Sequence, residues 1–411
     1  MNVITNRAQV ISARGRRAAV AGALLLTALA ASPAHAGPNE QARRIYERIA
    51  GVPPSAAELA TMANAINSGC SGSCAPGAAA LVTAAQTATA APTFYSVTLK
   101  NMVIPWTNRD QTVFAPFNDY AATVIGMVRD DVDFHTALSA DILYVVNGVS
   151  PAPSMADNNH YATAEANGVD LLANLHQTSQ SATYGTPTAA TAGLITTRGA
   201  ESSFFINGTN RAMFRFTMIN HFCNDMQTLM DTTRPTDRVR QDVARSPGGD
   251  SRVFLNTCAG CHSGMDPMAQ AFAYYNFNGT PVGDGTNTGT MVYTAGQVQP
   301  KYLINPNNFV YGFVTPDDSW SNRWRGGVNA SLGWDPSLPG YGNGAKSLGM
   351  ELESSDAFAQ CQVVKVFTAV CFRAPLQSDQ ASITSIKSSF KANGYKLKQV
   401  FQQAAAACPG Q

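Results

Sequence analysis

Charge is scarce in this chain. Only 13% of its 411 residues are Asp, Glu, Lys or Arg, against 45% hydrophobic, a balance that fits neither a solvated disordered polymer nor a coiled coil. The 28 Lys and Arg nearly cancel the 27 Asp and Glu, so the basic footprint that nucleic acid or an anionic membrane surface demands is missing. No apolar run reaches the roughly 20 residues of a membrane-spanning helix. Gly-x-Ser-x-Gly, His-Glu-x-x-His and phosphate-loop motifs are absent, which removes the commonest hydrolase and nucleotide signatures. Period-two patterning is sparse and no internal repeat is visible. What remains is a globular, mainly α chain of two to three domains at roughly 150 residues each.

Arg7, Arg14, Arg16 and Arg17 precede an apolar run over 18–31, followed by Ser32-Pro33 and the small-x-small triplet Ala34-His35-Ala36. This pattern predicts a secretory signal over 1–36, cleaved after Ala36, and a periplasmic or secreted protein. Losing four Arg and no acid takes the net charge from +1 to −3. Arg16-Arg17 lacks the bulky pattern that follows a twin-arginine signal, so general secretion is the expectation.

Apolar spacing predicts helices joined by long ordered loops. Ile45 and Ile49 share a face before Gly51-Val52-Pro53-Pro54 stops the first helix, and Ser55-Ala56-Ala57-Glu58 has capping-box spacing for the second. The stretches 120–128 and 169–175 read as buried helical pieces, and the Ser/Thr/Ala/Pro-rich stretch 181–191 as a linker or surface loop. An apolar helix is expected over 211–230 and another from about 250 into Cys258. Residues 279–349, crowded with Gly, Pro, Asn and Trp, read as long loops, with Gly283 to Gly289 a glycine-rich turn rather than a calcium site. Three stripes (Phe358, Cys361, Val364, Phe367; Ile383, Ile386, Phe390; Leu397, Val400, Phe401) close the chain with helices. The expected organisation is an N-terminal helical domain over 37–180, a central region over 193–292, a Gly/aromatic loop region over 293–345 and a C-terminal helical module over 346–411.

The chemistry lies in Cys258-Ala259-Gly260-Cys261-His262. Cys-x-x-Cys-His is the attachment pattern of haem c: two thioethers fix the porphyrin and the adjacent imidazole reaches the iron, so His262 is the expected metal ligand. At this Cys and His content chance supplies about 0.002 such pentamers in the chain. A thioredoxin-like motif would want a βαβ context, and a zinc site a second Cys/His pair at suitable spacing; neither is apparent. Asp231, Asp237, Arg238, Arg240 and Asp242 read as a solvated charged turn, with the two Arg as possible propionate partners.

The run 258–267, Cys-Ala-Gly-Cys-His-Ser-Gly-Met-Asp-Pro, followed by Ala271-Phe272-Ala273-Tyr274-Tyr275, resembles the signature of the planctomycete-type cytochrome C-like domain families of unknown function. The segments 193–198 with 208–212, 43–58, 344–370 and 379–401 resemble flanking parts of the same families. The resemblance implies an exported, mainly helical protein with one covalent haem, and no substrate.

The sixth iron position separates a carrier from an enzyme, since two strong protein ligands leave no room for substrate. Met291, Met350, Met218, His221 and His160 are the candidates for it; Met265 and Met268 follow His262 too closely. The remaining cysteines, 70, 74, 223, 361, 371 and 408, allow three disulfides. Cys70 with Cys74 is the favoured local pair, and Cys361 with Cys371 is excluded if one helix holds both, since ten residues then separate them by about 15 Å. The expected function is an exported monohaem cytochrome exchanging single electrons with a redox partner protein. The alternatives are a peroxidase- or oxygenase-like haem enzyme, to which the length of the chain points, and an interaction protein anchored on its haem.

Overall fold

A computed structural model describes residues 36–69, 77–280 and 288–408. The expected leader up to residue 35, Cys70 with Cys74, and most of the glycine-rich turn at 283–289 lie outside the described residues.

Helix α1 (Pro38–Ala50) buries Ile45 and Ile49 and ends where Gly51 adopts φ 74°, its N–H returning to the Glu47 carbonyl. The capping box of α2 (Ala56–Ser68) is made in both directions: Glu58 N–H donates to the Ser55 hydroxyl at 3.3 Å, and Ser55 N–H to the Glu58 carboxylate at 2.8 Å. α3 (Ala78–Thr89) lies against both. α4 (Asp119–Arg129) is buried along nearly its whole length, in line with its continuous apolar sequence. The stretch 169–175 is helical as expected only over a single, mostly unburied turn. After one helical turn at Leu171–Asn174 it becomes β2 (Leu175–Thr178), antiparallel to β1 (Leu143–Val146). Segment 181–191 is a surface loop rather than a free linker: it begins inside a helical turn (Gln180–Tyr184), exposes 187–189, and buries Ala190 and Thr191 completely.

α5 (Arg198–Phe204) leads to α6 (Arg211–Phe222), which stops eight residues before its expected end. Cys223 takes φ 56°, a left-handed conformation that ends the helix and directs the following loop away. The next long helical run, 251–272, has α7 (Ala259–Ala269) at its centre. Beyond it the Gly- and Trp-rich region is loop with short ladders: β3 (Tyr275–Thr280) pairs β4 (Thr288–Tyr293), and β5 (Ser319–Ser321) pairs β6 (Tyr341–Asn343). α8 (Gly344–Glu353), α9 (Asp356–Cys371), α10 (Gln380–Ala392) and α11 (Leu397–Ala407) complete the chain.

α11 returns to pack on α3, and Phe401 meets Phe94 edge-to-face at 4.9 Å, so the two ends of the described chain share a core. α9 contacts α6, α10 and α11, while α6 also contacts α7; the helix carrying the Cys-x-x-Cys-His motif is thereby joined to the C-terminal helices through α6. Disulfides Cys223–Cys361 and Cys371–Cys408, with Cα separations of 5.3 and 6.0 Å, fasten α6 to α9 and the far end of α9 to the end of α11. Cys361 and Cys371 do share one helix and each finds a partner elsewhere. Among the described residues no helix is long and apolar enough to cross a membrane.

Candidate functional site

The motif helix is built on two unlike faces. Asp250 caps it, its carboxylate accepting from Arg252 N–H at 2.9 Å, and a wide π-helical turn over Phe254–Cys258 leads into α7. Positions 255, 258, 261 and 262 recur at three and four residues, so Leu255, Cys258, Cys261 and His262 stand on one side. That side is open: Leu255 is 55% exposed and both cysteines are partly exposed. The opposite side carries Ala259, Gly260, Ser263 and Gly264, all buried. Their smallness is required, since a Cβ on Gly264 would lie 2.0 Å from the Trp324 indole nitrogen and one on Gly260 would lie 3.1 Å from Met230.

Four of the described cysteines are paired; Cys258 and Cys261 are free thiols. Burial, with Asp225 and Cys258 nearby, raises the Cys261 thiol above its ordinary range. One turn after Cys258, the His262 Nδ1 lies 3.1 Å from Asp266 Oδ1, and the His262 side chain is 20% exposed. Asp266 is itself fully enclosed. Its two oxygens accept from Arg211 Nε at 2.6 Å and Nη2 at 2.8 Å, and the other edge of the same guanidinium meets both oxygens of Asp242 at 2.6 and 2.9 Å. Burial works against the Asp266 charge, yet Arg211, His262 and Arg240 outweigh it and hold the carboxyl well below the usual carboxylate range.

The charged turn before the helix is solvated only in part, with Asp237 exposed. Asp231 and Arg240 are buried, Arg240 lying 4.6 Å over the Tyr302 ring; Arg238 stacks 5.0 Å from Phe313 and Asp237 pairs with Arg323 at 2.8 Å. The cation beside the motif is instead Arg245. It is wedged between Phe254 and Phe309, 4.5 and 4.4 Å from their centroids, and donates to the Val243 and Val239 carbonyls at 2.7 and 2.9 Å. A groove of about 350 Å³ opens there, lined by Arg245, Phe254, Leu255, Phe309, Tyr311 and Phe313. A small apolar cluster of Val239, Val243, Phe254 and Ala259 underlies it, with Cys258 packed against its edge.

The five sixth-position candidates are scattered. His221 is fully buried between α6 and α9, with Tyr120 Oη 2.8 Å from Nε2 and Gln362 Nε2 3.5 Å from Nδ1; burial, reinforced by Lys365, pushes its pKa down to about 3. His160 Nε2 accepts from Val146 N–H at 3.1 Å and its Nδ1–H donates to the Pro151 carbonyl at 2.8 Å. Both imidazoles therefore have each nitrogen committed to the protein. Met218 is buried in the main core, Met291 sits opposite Phe277 in the β3–β4 ladder, and Met350 is 47% exposed on α8. Among the described residues no group of three or more His, Cys, Asp or Glu is arranged to hold a bare metal ion.

The donor set fits a covalently attached haem. Two thiols and an imidazole share one open helix face, the imidazole's Nδ1 is engaged by a carboxylate so that Nε2 is the nitrogen left to coordinate, and exposed Leu255 offers apolar surface beside them. Sequence reasoning missed Asp266 as a partner of His262 although the i, i+4 spacing was there to be read; Arg211, fifty-five residues away, left no such signal. No family model, curated protein or solved structure matches the chain.

Proposed function

We propose that the chain is an exported monohaem c-type cytochrome that passes single electrons to and from a redox partner protein. The observation that carries the reading is the pair of free thiols, Cys258 and Cys261, on the helix face of His262, in a chain whose other described cysteines are disulfide-bonded. Those two disulfides are compatible with an oxidising compartment, as export through the predicted leader requires. Each motif thiol would add across one vinyl group, the sulfur bonding to carbon and the proton passing to the neighbouring carbon, with no net redox change. His262 Nε2 would supply a nitrogen ligand to the haem iron. When bound, haem supplies a one-electron ferric/ferrous couple. Leu255 and the Phe254–Arg245–Phe309 stack supply apolar surface beside Cys258 that would help to hold the group.

Haem staining after denaturing electrophoresis tests attachment: the exported protein should give a band that disappears in the Cys258→Ala/Cys261→Ala variant, and a band of unchanged strength there would remove the assignment. Carbon monoxide tests the carrier role. The reduced protein should bind it slowly or not at all; rapid stoichiometric binding together with peroxide turnover well above free haem would replace the carrier with a haem enzyme.

A further inference from the structure

The groups behind His262 form a closed electrostatic unit. Asp266 faces the imidazole at 3.1 Å and Arg211 at 2.6 and 2.8 Å; Arg211 faces Asp242; and Arg240 approaches Asp242 at 3.7 Å, while its backbone N–H lies 3.4 Å from Asp266 Oδ2. Two carboxylates and two guanidiniums balance one another, and the Asp266 side chain has no exposed surface. A bidentate guanidinium partner requires an ionised carboxylate, which accepts and cannot donate. The proton between His262 and Asp266 therefore belongs to Nδ1, and the coordinating lone pair belongs to Nε2.

We infer that Asp266 is the positioning residue of the His262 ligand, fixing its tautomer and ring orientation and strengthening its donation so that the ferric state is favoured. The inference rests on the haem reading above. Its physical basis is that a carboxylate accepting the remote N–H of a ligating imidazole increases the basicity of the other nitrogen, and that hydrogen bonds around a haem ligand move the reduction potential. Arg211 then has a second function besides neutralising Asp266. By taking both carboxylate oxygens it prevents the Asp266 side chain from rotating away from the imidazole.

The test compares the holoprotein with Asp266→Asn and Asp242→Asn by spectroscopic redox titration. Both variants neutralise one of the two carboxylates paired with Arg211, but only the first alters the group that touches His262. Asp266→Asn should retain covalent haem and raise the reduction potential, shifting the ferrous/ferric ratio at least tenfold at fixed ambient potential, which is about 59 mV for one electron; Asp242→Asn should shift it by clearly less. Equal shifts in the two variants, or none in Asp266→Asn, would overturn the inference while leaving haem attachment intact. A wild-type protein without covalent haem would instead remove the underlying reading. If Asp266→Asn yields no folded holoprotein, solvent exchange of the His262 Nδ1 proton, followed by NMR in the wild-type ferrous protein, decides. Protection is expected, and exchange as fast as in a free imidazole overturns the proposal.

Discussion

At the scale of single residues the motif helix depends on contrast between its faces. Reactive groups need an open side, and the same helix can be held firmly only if its other side lets neighbours approach. Gly264 is the sharpest case. An Ala there keeps helical backbone geometry, and even gains helix propensity, yet its methyl would occupy the space of the Trp324 indole. Overpacking should win, so Gly264→Ala is expected to cost about 1–3 kcal/mol in urea unfolding. A variant as stable as the wild type would mean that Trp324 has room to move. The Trp324 backbone is tied to Asn322 Oδ1 and to the Trp334 indole N–H, each at 2.9 Å, but its buried indole nitrogen has no polar partner, so the ring itself is held by packing.

At the scale of elements, α6 is the connector: its first turn places Arg211 on Asp266 and its last turn places His221 between Tyr120 and Gln362. His221 is neutral when folded, with a pKa pushed down to about 3, whereas an unfolded histidine titrates near 6.5. Between those values the unfolded chain binds the extra proton, so the contribution of neutral His221 is fully present above pH 6.5 and is lost as pH falls toward 3. The limiting slope for one group is about 1.4 kcal/mol per pH unit. Buried Glu353 works in the opposite sense. Burial lifts its pKa to about 8, so its folded form gains stability as pH falls from 8 toward the ordinary carboxylate range. Because the two overlap, the variant comparison isolates His221: urea unfolding of His221→Gln at a series of pH values should show a flatter loss between pH 6.5 and 3 than the wild type. An identical slope would show that another group governs acid unfolding.

At the scale of the whole molecule, residues distant in sequence share one core, which runs from Ala42 to Cys408. The disulfide Cys223–Cys361 spans a sequence separation of 138 and Cys371–Cys408 one of 37. Each limits the unfolded chain, and the longer loop limits it more. Replacing Cys223 and Cys361 together by Ser should lower stability by about 2–4 kcal/mol. Because α6 holds Arg211 as well as the neighbour of Cys223, the same change should also loosen the helix behind the motif, visible as faster amide exchange in α7. Unchanged exchange there would show that α6 is fixed by its packing alone.

Sequence by itself determined the helices whose ends carry local chemistry. Gly51 after Ile49, Ser55 with Glu58, and Asn393-Gly394 between two apolar stripes all act within a few residues, and α1, α2, α10 and α11 begin and end near them. It also singled out Cys258, Cys261 and His262, because their pattern is a spacing rather than a contact. It carried the helix of 169–175 one residue too far, since the turn Leu171–Asn174 gives way at Leu175 to a strand paired with 143–146, and it carried 211–230 past the left-handed Cys223 that stops the helix. Tertiary structure alone decided which of the described cysteines pair, that Arg211 stands behind Asp266, and that Asp231 and Arg240 are buried rather than solvated. Each of these depends on groups brought together across tens of residues, through the packing of apolar faces that composition and periodicity describe only one segment at a time.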